Sequence, residues 1–248
     1  MKIIADIGNS QIKIATAENQ QINKVNTFLL KDISLVEKYF IKICKKEKCS
    51  LFYSSVLGTD FEREFRSTVK NIFRKIIRFK SSQSFLSVKN SYSAPSKLGS
   101  DRWAQIIGAY KIYKDDVMIV SCGSAVSVDH VTSKGVHKGG LLLSGADRYI
   151  KCFSDIHNLK GIKLSQPKRL KSNTLKNSTI DQIAMGYKLM LTSSINKIYS
   201  DLNTKSKKKV LLILSGSYAE NIPDIIATKK IIEPYFVLKS LALIENYM

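Results

Sequence analysis

Met1-Lys2-Ile3-Ile4-Ala5-Asp6-Ile7-Gly8-Asn9-Ser10-Gln11-Ile12-Lys13 opens the chain, and its reading decides the fold. Ile3 to Ile7 is an apolar run of strand length. It carries one carboxylate, Asp6, near its far end, where a buried charge is costly unless paired or bound to a metal. Gly8-Asn9-Ser10 reads as a tight turn, and Gln11 to Thr16 resume the strand. Such a hairpin aims backbone N–H groups and small polar side chains at one point, with Asp6 facing the same point. That geometry suits a nucleotide phosphate with a divalent cation. An ordinary hairpin with an Asp at a strand end has the same pattern.

A second strand–turn–strand echoes the first. Val117 to Cys122 is apolar, Gly123-Ser124 turns the chain, and Ala125 to Asp129 extend again. Two such hairpins predict a duplicated α/β fold whose halves, residues 1–113 and 114–248, clasp a ligand in a cleft between them. Between the hairpins, Ile33, Val36, Phe40, Ile43 and Cys44 stand at helical spacing, with Asp32 available as a cap. Leu51 to Val56 reads as a strand, Asp60 to Phe73 as a helix and Lys75 to Phe79 as another strand. This alternation argues for an α/β domain.

Residues 81–100 read as a connecting or binding loop that carries Tyr92 and Pro95. The helical pattern from Asp101 to Tyr113 sets Asp101 at a helix N-terminus, where an anion is favoured and where a plain cap would also sit. Further on, Gly139 to Gly145 predict a buried strand bracketed by glycines, and Thr179 to Tyr199 a long helix. Val210 to Leu214 predict a central strand, Ser215-Gly216-Ser217 the opening of a helix, and Tyr235 to Tyr247 a last amphipathic helix.

The 248 residues are 44% apolar and 24% charged, the balance of an ordinary globular protein. No apolar run approaches the ~18 residues of a membrane span. The N-terminal run is too short for a signal peptide and Asp6 interrupts it, so a cytoplasmic protein is expected. Cys44, Cys49, Cys122 and Cys152 show no CxxC spacing, and His130, His137 and His157 complete no metal-ligand pattern. The cysteines read as reduced thiols, with Cys122 packing. Lys and Arg number 40 against 20 Asp and Glu, a net charge of +20. Such a field attracts polyanions, but the lysines are spread, as in Lys45-Lys46-Glu47-Lys48 and Lys207-Lys208-Lys209. With neither an RNA-binding aromatic signature nor a helix-turn-helix pattern, the charge reads as a solvated surface that helps collect anionic nucleotides, and not as a nucleic-acid footprint.

Taken together, the motifs resemble the type III pantothenate kinases of the actin/Hsp70/sugar-kinase superfamily, nearly end to end and in order. Asp6-Ile7-Gly8-Asn9-Ser10 is similar to D-x-G-N-T. Tyr53-Ser54-Ser55-Val56 looks like the family's second strand, and Tyr92, Pro95 and Gly99-Ser100-Asp101-Arg102 like its Y…P…G-x-D-R. Gly123-Ser124-Ala125-Val126-Ser127-Val128-Asp129 is similar to G-T-A-x-T-x-D, and Thr179 with Gly186 to a T…G at a helix start.

The resemblance implies an actin-like, ribonuclease H-like fold and ATP-dependent phosphorylation of pantothenate at its terminal hydroxyl, the first step towards coenzyme A. It implies a homodimer that needs magnesium and a monovalent cation, potassium or ammonium. Asp6 would hold Mg²⁺, mostly through water. Gly8, Asn9, Ser10, Gly123 and Ser124 would donate hydrogen bonds to phosphates, and Lys13 could add a charge there. Asp101 would be the base, Arg102 would grip the pantothenate carboxylate, and Tyr92, Gly99, Ser100 and Thr179 would complete the substrate pocket. Ser121 stands where the family has Asp, which puts one cation contact in doubt. Ser144 replaces a proline, and Ser217 and Ser240 replace expected glycines. Two other readings remain open: a catalytically weakened relative acting as a regulatory or transcriptional accessory factor, and a superfamily phosphotransferase with another small hydroxyl substrate.

Overall fold

Ile3, Ile4, Ala5 and Ile7 are all 0% exposed, the mark of a strand covered on both faces. They belong to β1 (Lys2–Ile7), the middle of the first sheet. The computed structural model describes residues 1–45, 49–154, 175–205, 209–222 and 229–248, so His157, Lys46-Glu47-Lys48 and Lys207-Lys208 lie outside the described residues. The chain divides into two compact units. One comprises Met1–Lys114, Gly135–His137 and Tyr235–Met248; the other comprises Asp115–Lys134 and Lys138–Pro234.

In the first unit β1 pairs antiparallel with β2 (Gln11–Glu18) and parallel with β5 (Ser50–Ser55). With β3 (Gln21–Ile22) and β6 (Lys75–Phe79) the order is β3-β2-β1-β5-β6, and β4 (Asn26–Leu29) also pairs with β2. The helices α1 (Ile33–Cys44) and α2 (Thr59–Val69) send Val36, Phe40, Phe65 and Val69 into the core formed with Ile3, Ala5 and Ile7. Asp32 occupies the N-cap position of α1, but its side chain makes no capping bond there. The second helix ends at Val69, four residues short of the apolar pattern, and Phe73 reaches the core from the turn that follows. The segment expected as a loop contains a small hairpin, β7 (Ser84–Phe85) with β8 (Val88–Lys89), and a 3₁₀ turn at Pro95–Lys97, before α3 (Ser100–Tyr113).

The second unit repeats the strand order. β9 (Val117–Cys122) pairs antiparallel with β10 (Ala125–Val131) and parallel with β12 (Leu211–Ser215). With β11 (His137–Ser144) and β13 (Lys230–Ile232) the order is β11-β10-β9-β12-β13. In both sheets the hairpin strand that leads the unit sits at the centre, with its antiparallel partner on one side and two parallel strands on the other; the first sheet adds β4 as an extra strand on β2, and the duplication expected from two hairpins is present in the topology. Helices α4 (Ala146–Ser154) and α5 (Thr179–Lys205) accompany this sheet, and Tyr187, Leu191, Ile195 and Tyr199 of α5 pack on Met118, Val120 and Leu212.

Three expectations need correction. Leu141 and Leu142 are 52% and 63% exposed; β11 is the edge of its sheet, and an apolar run alone does not distinguish an edge strand from a central one. Ser215-Gly216-Ser217 leads to a 3₁₀ turn at Ala219–Asn221 and not directly to an α-helix. Gly216 has φ +89°, and a Cβ there would lie 2.3 Å from the Cys122 carbonyl oxygen, so glycine is demanded by close packing. The last helix, α6 (Phe236–Glu245), packs in the first unit. Its buried Phe236, Leu238, Leu241 and Ile244 serve that core, and Gly108 of α3 makes room for Ser240, whose Oγ stands 2.1 Å from the position of a Cβ at 108. Among the described residues no helix is long and apolar enough to cross a membrane.

Candidate active site

Strand register places Asp6 between two neighbours, Ser54 across the parallel pairing and Lys13 across the antiparallel one. Ser54 Oγ donates to Asp6 Oδ1 at 2.9 Å. The Asp6 carboxyl is nevertheless pushed up to about 6, first by withdrawal from water and then by the negative charge of Asp101; Lys13 and the Ser54 bond pull the other way. Two carboxylates therefore sit close enough to repel, with too little positive charge beside them to cancel the effect. A site of this kind gains from a cation.

The turn after β1 closes through the Gly8 N–H, which donates to the Gln11 carbonyl at 2.9 Å. It leaves Asn9 and Ser10 at the surface, and the Ser10 carbonyl accepts from the Leu30 N–H. Small polar groups thus stand exposed at the turn that follows Asp6 in the chain.

Asp101 is the second residue of α3. Gly99 is the N-cap, and its carbonyl accepts from the Trp103 N–H at 2.9 Å. A Cβ on Gly99 would come within 2.6 Å of Asp101 Oδ1, so the absent side chain lets the carboxylate fold back over the helix start. Ser100 is buried and its Oγ donates to the Ser55 carbonyl at 3.1 Å. Ser55 follows Ser54, the residue bonded to Asp6. Asp6 and the residue before Asp101 are therefore fixed to adjacent residues at one end of β5.

Arg102 is 8% exposed, unusual for arginine. Its Nη1 donates to the Tyr92 hydroxyl at 3.0 Å, and the guanidinium carbon lies 5.9 Å from the Tyr92 ring centre. Tyr92 is held in turn. Its N–H donates to Asn90 Oδ1 at 3.0 Å, while Asn90 Nδ2 reaches the carbonyls of Ser82 and Pro95 at 3.1 and 3.4 Å. On its other side Tyr92 stacks on buried His137, with ring centres 6.0 Å apart and planes 19° from parallel.

In the second unit the Gly123-Ser124 turn closes through the Gly123 N–H on the Ala125 carbonyl at 3.0 Å. Gly145 packs on this turn so closely that a Cβ would meet the Gly123 and Ser124 carbonyl oxygens at 2.5 and 2.6 Å. Ser121 is flanked in register by Ser127 and Ser215, a lateral row of hydroxyls where a carboxylate was expected. Thr179 is the exposed first residue of α5; Ser178 before it caps the helix, its Oγ bonding Asp181 Oδ2 at 2.7 Å. Burial pushes the Cys122 thiol up to about 12, which leaves it protonated and inert.

The structure thus brings Asp6, Gly8, Asn9, Ser10, Lys13, Tyr92, Gly99, Ser100, Asp101 and Arg102 into the first unit, and sets Ser121, Gly123, Ser124 and Thr179 in the second. Ser54, Asn90 and His137 had been given no part. Asn-x-Tyr at 90–92 carries the signal of an Asx turn. Ser54 is the parallel partner of Asp6, but nothing in the linear sequence marks His137 as the stacking partner of Tyr92.

The sequence model of the type III pantothenate kinase family matches residues 2–201. A type III pantothenate kinase from Teredinibacter turnerae is 25% identical over 99% of both chains. The one from Hahella chejuensis is 37% identical over 106 residues, which span 43% of this chain and 44% of that protein. Among solved structures, a Baf family transcriptional activator from Campylobacter jejuni superposes with a TM-score of 0.62 at 21% identity, over 99% of this chain and 98% of that one. This likeness concerns the fold. Together with the two hairpin-led sheets, the solved neighbours make this an actin-like α/β fold.

Proposed function

Because the chain belongs to the type III pantothenate kinase family, we propose that it transfers the γ-phosphoryl group of ATP to the terminal hydroxyl of pantothenate. The observation that carries this reading is the negative charge of Asp101 acting on Asp6, with Asp6 bonded to Ser54 of β5 and Ser100, the residue before Asp101, bonded to the Ser55 carbonyl next along that strand.

Asp101 accepts the proton of the attacking hydroxyl. The carboxylate lies over the bare Cα of Gly99 at the start of α3, and there it meets the substrate oxygen. Arg102, oriented by Tyr92, supplies a charged fork for the pantothenate carboxylate. Gly99 and Ser100 line the substrate within the first unit. Asp6 would hold the divalent cation, which would offset the burial and the Asp101 charge that raise its carboxyl. When bound, the cation supplies neutralisation of the phosphate charge that develops during transfer. Gly8, Asn9 and Ser10, and separately Gly123 and Ser124, present donors to phosphate oxygens, with Lys13 adding a positive charge. The hydroxyl row at Ser121 offers neutral oxygens to a monovalent cation, a weaker donor set than one with a carboxylate.

A homodimer belongs to the same reading. Leu141 and Leu142 of β11 and Ile180, Leu189 and Met190 of α5 are exposed apolar side chains, and light scattering should return twice the chain mass. A transcriptional role for a weakened relative has Ser121 and the name of the Campylobacter neighbour behind it, but both acids needed for chemistry are present. The deciding experiment is ATP turnover with and without pantothenate, repeated with Asp101→Asn. General-base loss should lower kcat by about 10²–10⁴-fold; full activity in that variant would remove the base assignment. Turnover on sugars or glycerol but not pantothenate would redirect the substrate.

A further inference from the structure

A concavity rimmed by charged side chains lies in the first unit, between α2 and β6. It encloses about 600 Å³, within the range of small-ligand pockets. Glu62, Arg63 and Arg66 come from α2, and Arg78 and Lys80 from the edge strand and the residue just beyond it. Four cationic side chains therefore share a lining with one carboxylate.

That carboxylate is already engaged. Glu62 is buried, and its Oε2 accepts from the Tyr53 hydroxyl at 2.9 Å and faces Arg78 Nη1 at 3.3 Å. Arg63 pairs with Asp60 at the rim. Like charges crowded around a neutralised carboxylate disfavour one another, and an anion would reverse that. Two buried polar atoms of the lining residues have no hydrogen-bond partner among the described residues, Arg78 Nε and Glu62 Oε1. The first is a donor suited to a phosphate oxygen, as one edge of the guanidinium fork. The second is an acceptor that calls for a hydroxyl. Ile76 and Ile77 add an apolar wall, which a bare inorganic ion would not use.

We propose that this concavity is a binding site for a small phosphate monoester that carries a hydroxyl, distinct from the residues assigned to pantothenate and ATP. Arg78 Nη2 donates at 3.2 Å to the Ser55 carbonyl, the same oxygen that Ser100 Oγ uses to fix the start of α3. A ligand drawn to Arg78 thus bears on the helix that carries Asp101. Trp103, the single tryptophan, is fully buried in that helix and reports on it.

The test uses the whole protein, saturated with a non-hydrolysable ATP analogue and pantothenate, and glycerol 3-phosphate as probe. Calorimetry should detect saturable binding, and Trp103 fluorescence should follow the same isotherm. In the triple variant Arg63→Gln, Arg66→Gln, Lys80→Gln, whose altered positions are exposed, affinity should fall by about fivefold per charge, or about 100-fold in all. An unchanged melting temperature shows that the variant is folded. The proposal fails if wild type binds no probe under these conditions, or if the variant binds as well as wild type. It also fails if the probe binds only when the analogue is omitted, which would place the probe in the nucleotide site, or if short duplex DNA binds the cluster and displaces it.

Discussion

Asp6→Asn should make the ligand-free protein more stable while removing its activity. The gap between the ordinary carboxyl value of 3.8 and about 6, at about 1.4 kcal/mol per pH unit, corresponds to about 3 kcal/mol. The sign follows from proton binding. Below pH 3.8 both folded and unfolded chains hold the proton and Asp6 has no effect. Between about 4 and 6 the folded state keeps a proton that the unfolded chain has released, so stability falls as pH rises through that window. Above it the whole cost is present. Asparagine carries no charge, keeps a carbonyl for the Ser54 hydroxyl, and so should recover about 3 kcal/mol at pH 8 and almost nothing at pH 3.5. For a chain of this length that is about 6–12 °C in the melting transition. The assay is thermal unfolding of wild type and variant at both pH values, then again with Mg²⁺ and ATP, which should stabilise wild type far more than the variant. A variant no more stable than wild type at pH 8, or equally stabilised at both pH values, would refute the electrostatic account of Asp6.

Gly99→Ala should leave the fold intact, since Gly99 has ordinary φ and ψ of −56° and 135°. It should lower kcat by about 10²-fold by displacing the Asp101 carboxylate, with little change in the KM for ATP; unchanged kcat would show that the close approach is irrelevant. Gly108→Ala drives a methyl group into Ser240 and should destabilise by about 1–3 kcal/mol. Adding Ser240→Gly should restore most of the loss, and chemical denaturation of the single and double variants measures both. Ser121→Asp should make turnover respond more steeply to potassium, with choline chloride as the ionic-strength control. An identical potassium response in both proteins would show that position 121 does not touch the cation.

Much of this site could be read in the chain because its parts are local. A strand, a Gly-rich turn and a returning strand constrain one another within a dozen residues, so Asp6 and the Gly123-Ser124 turn were placed without knowledge of the fold. Asp101 was legible because a helix start follows from the apolar spacing after it. What escaped depends on contacts distant in sequence. Ser54 matters only once β5 pairs beside β1, and His137 only once its ring reaches Tyr92. Leu141 and Leu142 have the composition of a core strand, and only the sheet order shows that they sit at its edge. The apolar face of α6 announced a helix but not which sheet it would cover.

The attachment of α6 to the first unit bears on the order in which this protein can be made. Roughly 120 residues separate Tyr113 from Phe236, about 6–24 s of translation at 5–20 residues/s. Throughout that interval β1 and α3 have left the ribosome without the partner that covers them. The nascent first unit must wait, with its apolar surface uncovered, for a segment made about 120 residues later.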